Sequence, residues 1–295
     1  MDKHATIRLR DVKMLMQFLT PYLKSGSIAG KQEQRVITGL LDLLLQIMPY
    51  PAYKVCPVEL TRITRNASIP GVGNSRISLL KQVIFPPENA VTKYGRCNVP
   101  KSSVFYSSFH FITNMKEVHI EVGDIVTHSK WRLIDPSRPL NVFPIFFLTN
   151  TDDKPHNGLS LDLLVEHQNY VNGLSNEERE CMNIIVEFLA KCFAKEVDLE
   201  NDLDYYLSAY LSNKILFHPS ANYDGILYPS VQDRLGTSNL ALTQKAFLNN
   251  FKPTKITHDV LTSIKNGGAL FQGVHRSSKF DLASGISEGT IIWND

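Results

Sequence analysis

The sequence predicts an α+β protein, and three observations carry that expectation. Ser175 and Glu178 have capping-box spacing, and Met182, Ile185, Val186, Leu189 and Phe193 then recur on one face, which marks a long helix. A second helix is read over 203–216. Around these lie short β-patterned runs: "VELTRITR", "SSVFYSSF" at 102–109, "IVTHSKWRLI" at 125–134, "YDGILYPSV" at 223–231 and "SNLALT".

The N-terminal 50 residues read as a helical extension. Val12, Leu15, Met16, Leu19 and Leu23 recur at helical spacing, and "KSGSIAGK" supplies a turn. Val36, Ile37, Leu40, Leu41, Leu44, Leu45 and Met48 trace a second stripe that ends at "MPYP", where two prolines stop the helix. Such stripes usually mark core contacts, so this hairpin is expected to pack on a main domain over 51–295. A partner-binding or site-covering role is the sharper alternative. "GVGNSRIS" reads as a loop, because Gly71-x-Gly73 lacks the third glycine and following helix of a phosphate-binding turn. The tail "GGALFQGVHRSSKF" and "GTIIWND" read as strands.

A chain of 295 residues can bury a sizeable core. Its 31 Lys and Arg against 29 Asp and Glu argue against a general nucleic-acid binder. Cys56, Cys97, Cys181 and Cys192 form no C-x-x-C pair, so neither a disulfide framework nor a zinc knuckle is expected. The polar start and the interrupted apolar runs suggest neither a signal peptide nor a membrane span, and a cytoplasmic location is expected. His119 stands between two carboxylates in "EVHIE", but no dense ligand grouping surrounds it and no metal is expected.

Serine-hydrolase, Walker A, kinase and zinc-deaminase motifs are missing. The chemistry-bearing residues that remain each have an ordinary reading. Glu117, three positions after Asn114, has the spacing of a helix cap. Tyr106 shares a strand face with Val104 and reads as core. Arg96, in the loop "YGRCNVP", would pair with a carboxylate or a carbonyl. Arg62 shares a strand face with Leu60 and Thr64 and needs an anion, most commonly a carboxylate of the same protein. Ser208 reads as a small helix-interface residue and Ser230 as a strand end.

Taken in order, "LTRITR", "YGRCNVP", "SVFYSS", Glu117 eleven positions after Tyr106, "YYLSAYLSNKIL", "DGILYPSV" and "NLAL" resemble the RES-domain family over about Leu60 to Leu242. The resemblance implies a compact core similar to ADP-ribosyltransferases, with mixed or antiparallel strands, and an enzyme that consumes NAD as the toxin of a toxin-antitoxin pair. It acts by hydrolysis, by phosphorolysis, or by passing ADP-ribose to a protein. A RES-like module that binds a nucleotide or partner without turnover is the competing expectation.

By that resemblance Arg62 and Arg96 hold the cofactor's phosphates, Tyr106 lies near the nicotinamide ring, and Glu117 is the family glutamate. Both Ser208 and Ser230 match the family serine, and the Y-x-x-S helix start favours Ser208, leaving Ser230 to the cofactor. Cleavage of the nicotinamide–ribose bond develops an oxocarbenium-like ribose that a carboxylate stabilises, so the set requires no metal. The resemblance also implies a small helical antitoxin as partner; a homo-oligomer through the N-terminal hairpin is a further expectation.

Overall fold

The computed structural model describes residues 8–48, 52–149, 158–198, 200–217, 222–265 and 268–294. The protein is α+β, with helices packed on one mixed sheet. In chain order the elements are α1 (Leu9–Leu19), α2 (Lys31–Gln46), β1 (Tyr53–Val55), β2 (Glu59–Arg65), β3 (Val104–Ser108), α3 (Phe111–Glu117), β4 (Ile125–Leu133) and β5 (Leu140–Pro144). These are followed by α4 (Gly158–Asn172), α5 (Asn176–Ala194), α6 (Tyr206–Phe217), β6 (Gly225–Pro229), β7 (Ser238–Thr243), α7 (Gln244–Asn250), β8 (Phe251–Lys265), β9 (Gly268–Asp281) and β10 (Thr290–Asn294). Short 3-10 turns, including Asp202–Tyr205 immediately before α6, join several of them.

The strands form one sheet in the order β1-β5-β6-β7-β3-β2-β4-β8-β9-β10. Among the described pairings only β5 and β6 run parallel. Alternation along the central strands sorts side chains to two faces. Val104, Ile226, Tyr228 and Ala241 join the helices α1, α2, α5 and α6 in one apolar cluster, while Phe105, Leu227, Leu240 and Leu242 join a second one with Trp131, Phe247 and Phe251. In the second cluster Phe105 stacks on Phe247 with ring centroids 3.8 Å apart. Each fully buried Leu or Phe contributes about 1.5–3 kcal/mol by leaving water, so both faces hold the sheet.

The sheet is nearly divided in its middle. β3 pairs with β7 along its whole length and β2 pairs with β4 along its whole length, but β2 and β3 share only the register pair Thr61↔Ser108. That opening is where the candidate site lies.

The long helix starts as its sequence signals. The Ser175 hydroxyl accepts from the Glu178 amide, and the Glu178 side chain accepts from the Ser175 amide, closing the capping box. Met182, Ile185, Val186, Leu189 and Phe193 are all buried. The first helix ends at Leu19 and continues as a 3-10 turn, with Pro21 in its first turn. The second helix buries a narrower stripe than its spacing suggests: Ile37, Leu41 and Leu44 are buried, but Val36 is exposed. It ends at Gln46, and Pro49 and Pro51 lie outside the described residues.

One expectation is overturned. Glu117 does not cap the start of a helix; it is the last residue of α3, whose N-cap position is His110. Asn114 sits inside this helix, and its amide is committed to the strand below, donating to the carbonyl of Thr61 at 2.6 Å and to its hydroxyl at 2.5 Å. The short helix is thereby fixed on β2 and delivers Glu117 from its C-terminal end.

Candidate active site at the opening between two strands

A cavity of about 400 Å³ occupies the gap, lined by residues of β2, β3, α3, β6 and β7 together with the Gly95–Arg96 loop and Tyr205. Arg62, Arg96, Tyr106 and Glu117 all line it. These four come from separate segments, and the fold brings them to one cavity.

Arg62 bridges the opening. From β2 its Nη1 donates to the carbonyl of Tyr106 on β3 at 2.9 Å, a bond that stands in for the missing strand pairing. Its guanidinium also lies 5.7 Å from the Phe105 ring. No carboxylate pairs with it among the described residues, and its buried Nε has no hydrogen-bond partner there. Burial pulls its pKa down to about 10, so it stays cationic at neutral pH. A cation held without an anion in a cavity suits an anionic ligand.

Glu117 is held by one oxygen. Oε1 accepts from the hydroxyl of Ser230 at 2.6 Å and from the side-chain amide of Asn239 at 2.8 Å, while Oε2 accepts from no described residue. The Ser230 hydroxyl in turn accepts from the Asp233 amide at 3.3 Å, which orients its proton toward the carboxylate. A carboxylate fixed this way is orientated before any ligand arrives, as electrostatic stabilisation of a developing cation requires.

The two candidate serines separate clearly. Ser230 is fully buried behind Glu117. Ser208, buried inside α6, donates to the carbonyl of Tyr205 at 3.1 Å and is not part of the cavity lining. The preference for Ser208 therefore gives way to Ser230 as the serine that meets the glutamate, because a helix interior turns the Ser208 hydroxyl onto its own backbone.

Tyr106 and Arg96 both carry structural work. The Tyr106 hydroxyl accepts from the Cys97 amide at 2.7 Å and donates to Asn98 Oδ1 at 2.8 Å, so it pins the "GRCN" turn. Burial pushes its pKa well above that of a free phenol, and the hydroxyl remains protonated. Gly95 is required at this turn, because a Cβ there would meet the Asn98 side chain and lie 3.0 Å from the Tyr106 hydroxyl. Arg96 donates through Nη1 to the carbonyls of Phe193 at 2.5 Å and Lys195 at 3.1 Å, closing the C-terminal end of α5, and its guanidinium lies 5.1 Å from the Tyr205 ring. Cys97 is completely buried, and desolvation raises its thiol to about 12, which removes it as a nucleophile.

Sequence reasoning missed Asn239, Tyr228, Tyr205 and Thr64. Asn239 carries the one signal that could have found it: an asparagine within the strand run "SNLALT", where that residue type is disfavoured. Thr64 is buried on the cavity wall with its hydroxyl unpaired among the described residues. No group of His, Cys, Asp and Glu suited to a metal occurs among the described residues. No helix there is long and apolar enough to cross a membrane. Compared with family models and with curated proteins, the chain matches none.

Proposed function

We propose that the protein is a RES-type enzyme that cleaves the nicotinamide–ribose bond of NAD, as a glycohydrolase or a phosphorylase, and acts as the toxin of a toxin-antitoxin or defence system. The observation that carries this reading is one cavity lined both by a pre-orientated carboxylate, Glu117, and by a cation, Arg62, without a carboxylate partner among the described residues. A pyrophosphate oxygen on Arg62 would fix the substrate, and Oε2 of Glu117 would face the ribose as positive charge develops on it. Water then adds to the ribose carbon to give ADP-ribose, nicotinamide and a proton; phosphate in its place gives the ribose 1-phosphate ester. Nicotinamide is already cationic when bonded, so its departure needs no acid.

Transfer of ADP-ribose to a protein uses the same groups and differs only in the acceptor. Arg96 Nη1 is already engaged by the end of α5, which leaves Arg62 as the main phosphate holder. A helical antitoxin that fills the cavity is the partner this reading implies.

The test is to incubate the purified protein with NAD, with and without phosphate, and to identify the products. Nicotinamide release that disappears in Glu117→Ala is expected. No release, or equal release by both proteins, overturns the enzymatic reading.

A further inference from the structure

The wall of the cavity formed by Arg96 and Tyr205 is tied to the N-terminal hairpin through a buried ion pair. Lys195, just beyond α5, donates to Asp204 at 2.8 Å, and the two side chains are 4% and 1% exposed. Two groups from the turn after α1 complete the carboxylate: the Gly26 amide donates to Oδ1 at 2.8 Å, and the Ser25 hydroxyl donates to Oδ2. Lys195 also reaches the carbonyl of Tyr22 at 3.5 Å. A buried pair is stable only when its remaining lone pairs are satisfied, and here the hairpin supplies the donors.

Asp204 belongs to the 3-10 turn Asp202–Tyr205, and the same turn faces the cavity. Its Asp202 carboxylate accepts from the Tyr94 amide at 2.8 Å, which fixes the approach to the Gly95–Arg96 loop. Its Tyr205 ring lies against the Arg96 guanidinium, and Arg96 in turn donates to the carbonyl of Lys195. The circuit therefore closes: Ser25 and Gly26 hold Asp204, Asp204 holds Lys195, and both ends of that pair are anchored to the Arg96 wall. Further along, Thr38 of α2 and the Tyr206 hydroxyl lie 2.7 Å apart, which ties the hairpin to the start of α6.

We propose that Asp204 is a positioning residue through which the N-terminal hairpin sets the place of Tyr205 and Arg96, and so the affinity of the cavity for its ligand. The affinity part rests on the reading of the cavity as an NAD site. A displacement of about 1 Å in such a supporting group is enough to change a site's performance severalfold or more.

The experiment compares the wild type with Ser25→Ala, with Ser25→Thr, and with the pair Lys195→Met and Asp204→Leu, which replaces the buried ion pair by two apolar side chains. ADP-ribose affinity is measured by calorimetry, nicotinamide release by steady-state kinetics, and amide exchange over 94–98 and 202–206 in the free protein. Ser25→Ala is expected to weaken ADP-ribose binding and raise KM by about three- to tenfold with kcat within about twofold, because the supported contacts bind ground and transition states alike. Exchange over both segments is expected to quicken while that of β8 is unchanged. The Lys195→Met and Asp204→Leu protein is expected to show the same pattern, and Ser25→Thr to behave as the wild type. Lowered thermal stability with unaltered exchange over 94–98 overturns the proposal, as does quickened exchange with unaltered affinity. If the wild type binds no ADP-ribose and releases no nicotinamide, the NAD reading fails on its own, and the exchange measurement still decides whether Asp204 positions the wall.

Discussion

The Ser230 hydroxyl donates to Glu117 Oε1 at 2.6 Å, although the two residues are 113 positions apart. A hydrogen bond to a charged group contributes about 1.5–3 kcal/mol, which corresponds to roughly 10- to 100-fold in rate when the bond supports the reacting carboxylate. Ser230→Ala is expected to slow nicotinamide release by that factor, and Ser208→Ala to stay within about twofold of the wild type. Equal losses in the two variants would return Ser208 to the site.

Glu117→Gln preserves the volume and an acceptor oxygen for Ser230 and Asn239, so the fold should survive. Only the negative charge is lost. Turnover of NAD is expected to fall by about 10²-fold or more, with ADP-ribose affinity altered by no more than severalfold. A thermal-shift titration alongside the kinetic assay separates these two effects.

The Thr64 hydroxyl is buried at the cavity without a partner among the described residues. An unsatisfied buried hydroxyl costs about 1–3 kcal/mol, and valine has nearly the same shape. Thr64→Val should therefore raise the melting temperature of the free protein by roughly 2 °C or more. If a ligand uses the hydroxyl, the same variant binds ADP-ribose more weakly. A protein that is both less stable and unchanged in binding would contradict this account.

His128 gives a dependence on pH. It is buried beside Phe111, with ring centroids 4.7 Å apart, and its Nε2 has no partner among the described residues. Desolvation, aided by Lys130 and Lys255, lowers its pKa to about 4. Above pH 6.5 the ring is neutral in both folded and unfolded chains and contributes no pH dependence. Between pH 6.5 and 4 the unfolded chain takes up a proton that the folded one refuses, so stability falls, by roughly 3 kcal/mol at the lower end. Urea denaturation at several pH values should show this loss in the wild type and a smaller one in His128→Met; parallel curves would refute it.

Much of this site was legible as an order of residues, and little of it as geometry. Local signals were sufficient where the partner is local: the Ser175–Glu178 box placed α5, alternation placed β3, the Asp224-Gly225 turn introduced β6, and the β-patterned runs marked β2 and β7. They failed at Glu117 because the Asn114 side chain is claimed by Thr61 across the tertiary fold, which leaves the cap-like spacing without a cap. The choice between serines was closed to sequence reasoning for the same reason: a hydroxyl's partner depends on which strand end faces which helix end. β8 is also weakly marked, because Pro253 interrupts its pattern. It is accommodated beside a register shift opposite Trp131, where a lost ladder bond is tolerated.

The near-division of the sheet constrains how this protein could be taken apart. On one side of the opening lie β1, β5, β6, β7 and β3, and on the other β2, β4, β8, β9 and β10. The backbone passes from one side to the other between β1 and β2, β2 and β3, β3 and β4, β4 and β5, and again between β7 and β8. No single cleavage of the polypeptide can release either side intact, and a fragment-complementation reporter cut at any one loop would have to rebuild both sides at once. The cavity thus lies on a spatial boundary that has no counterpart along the chain.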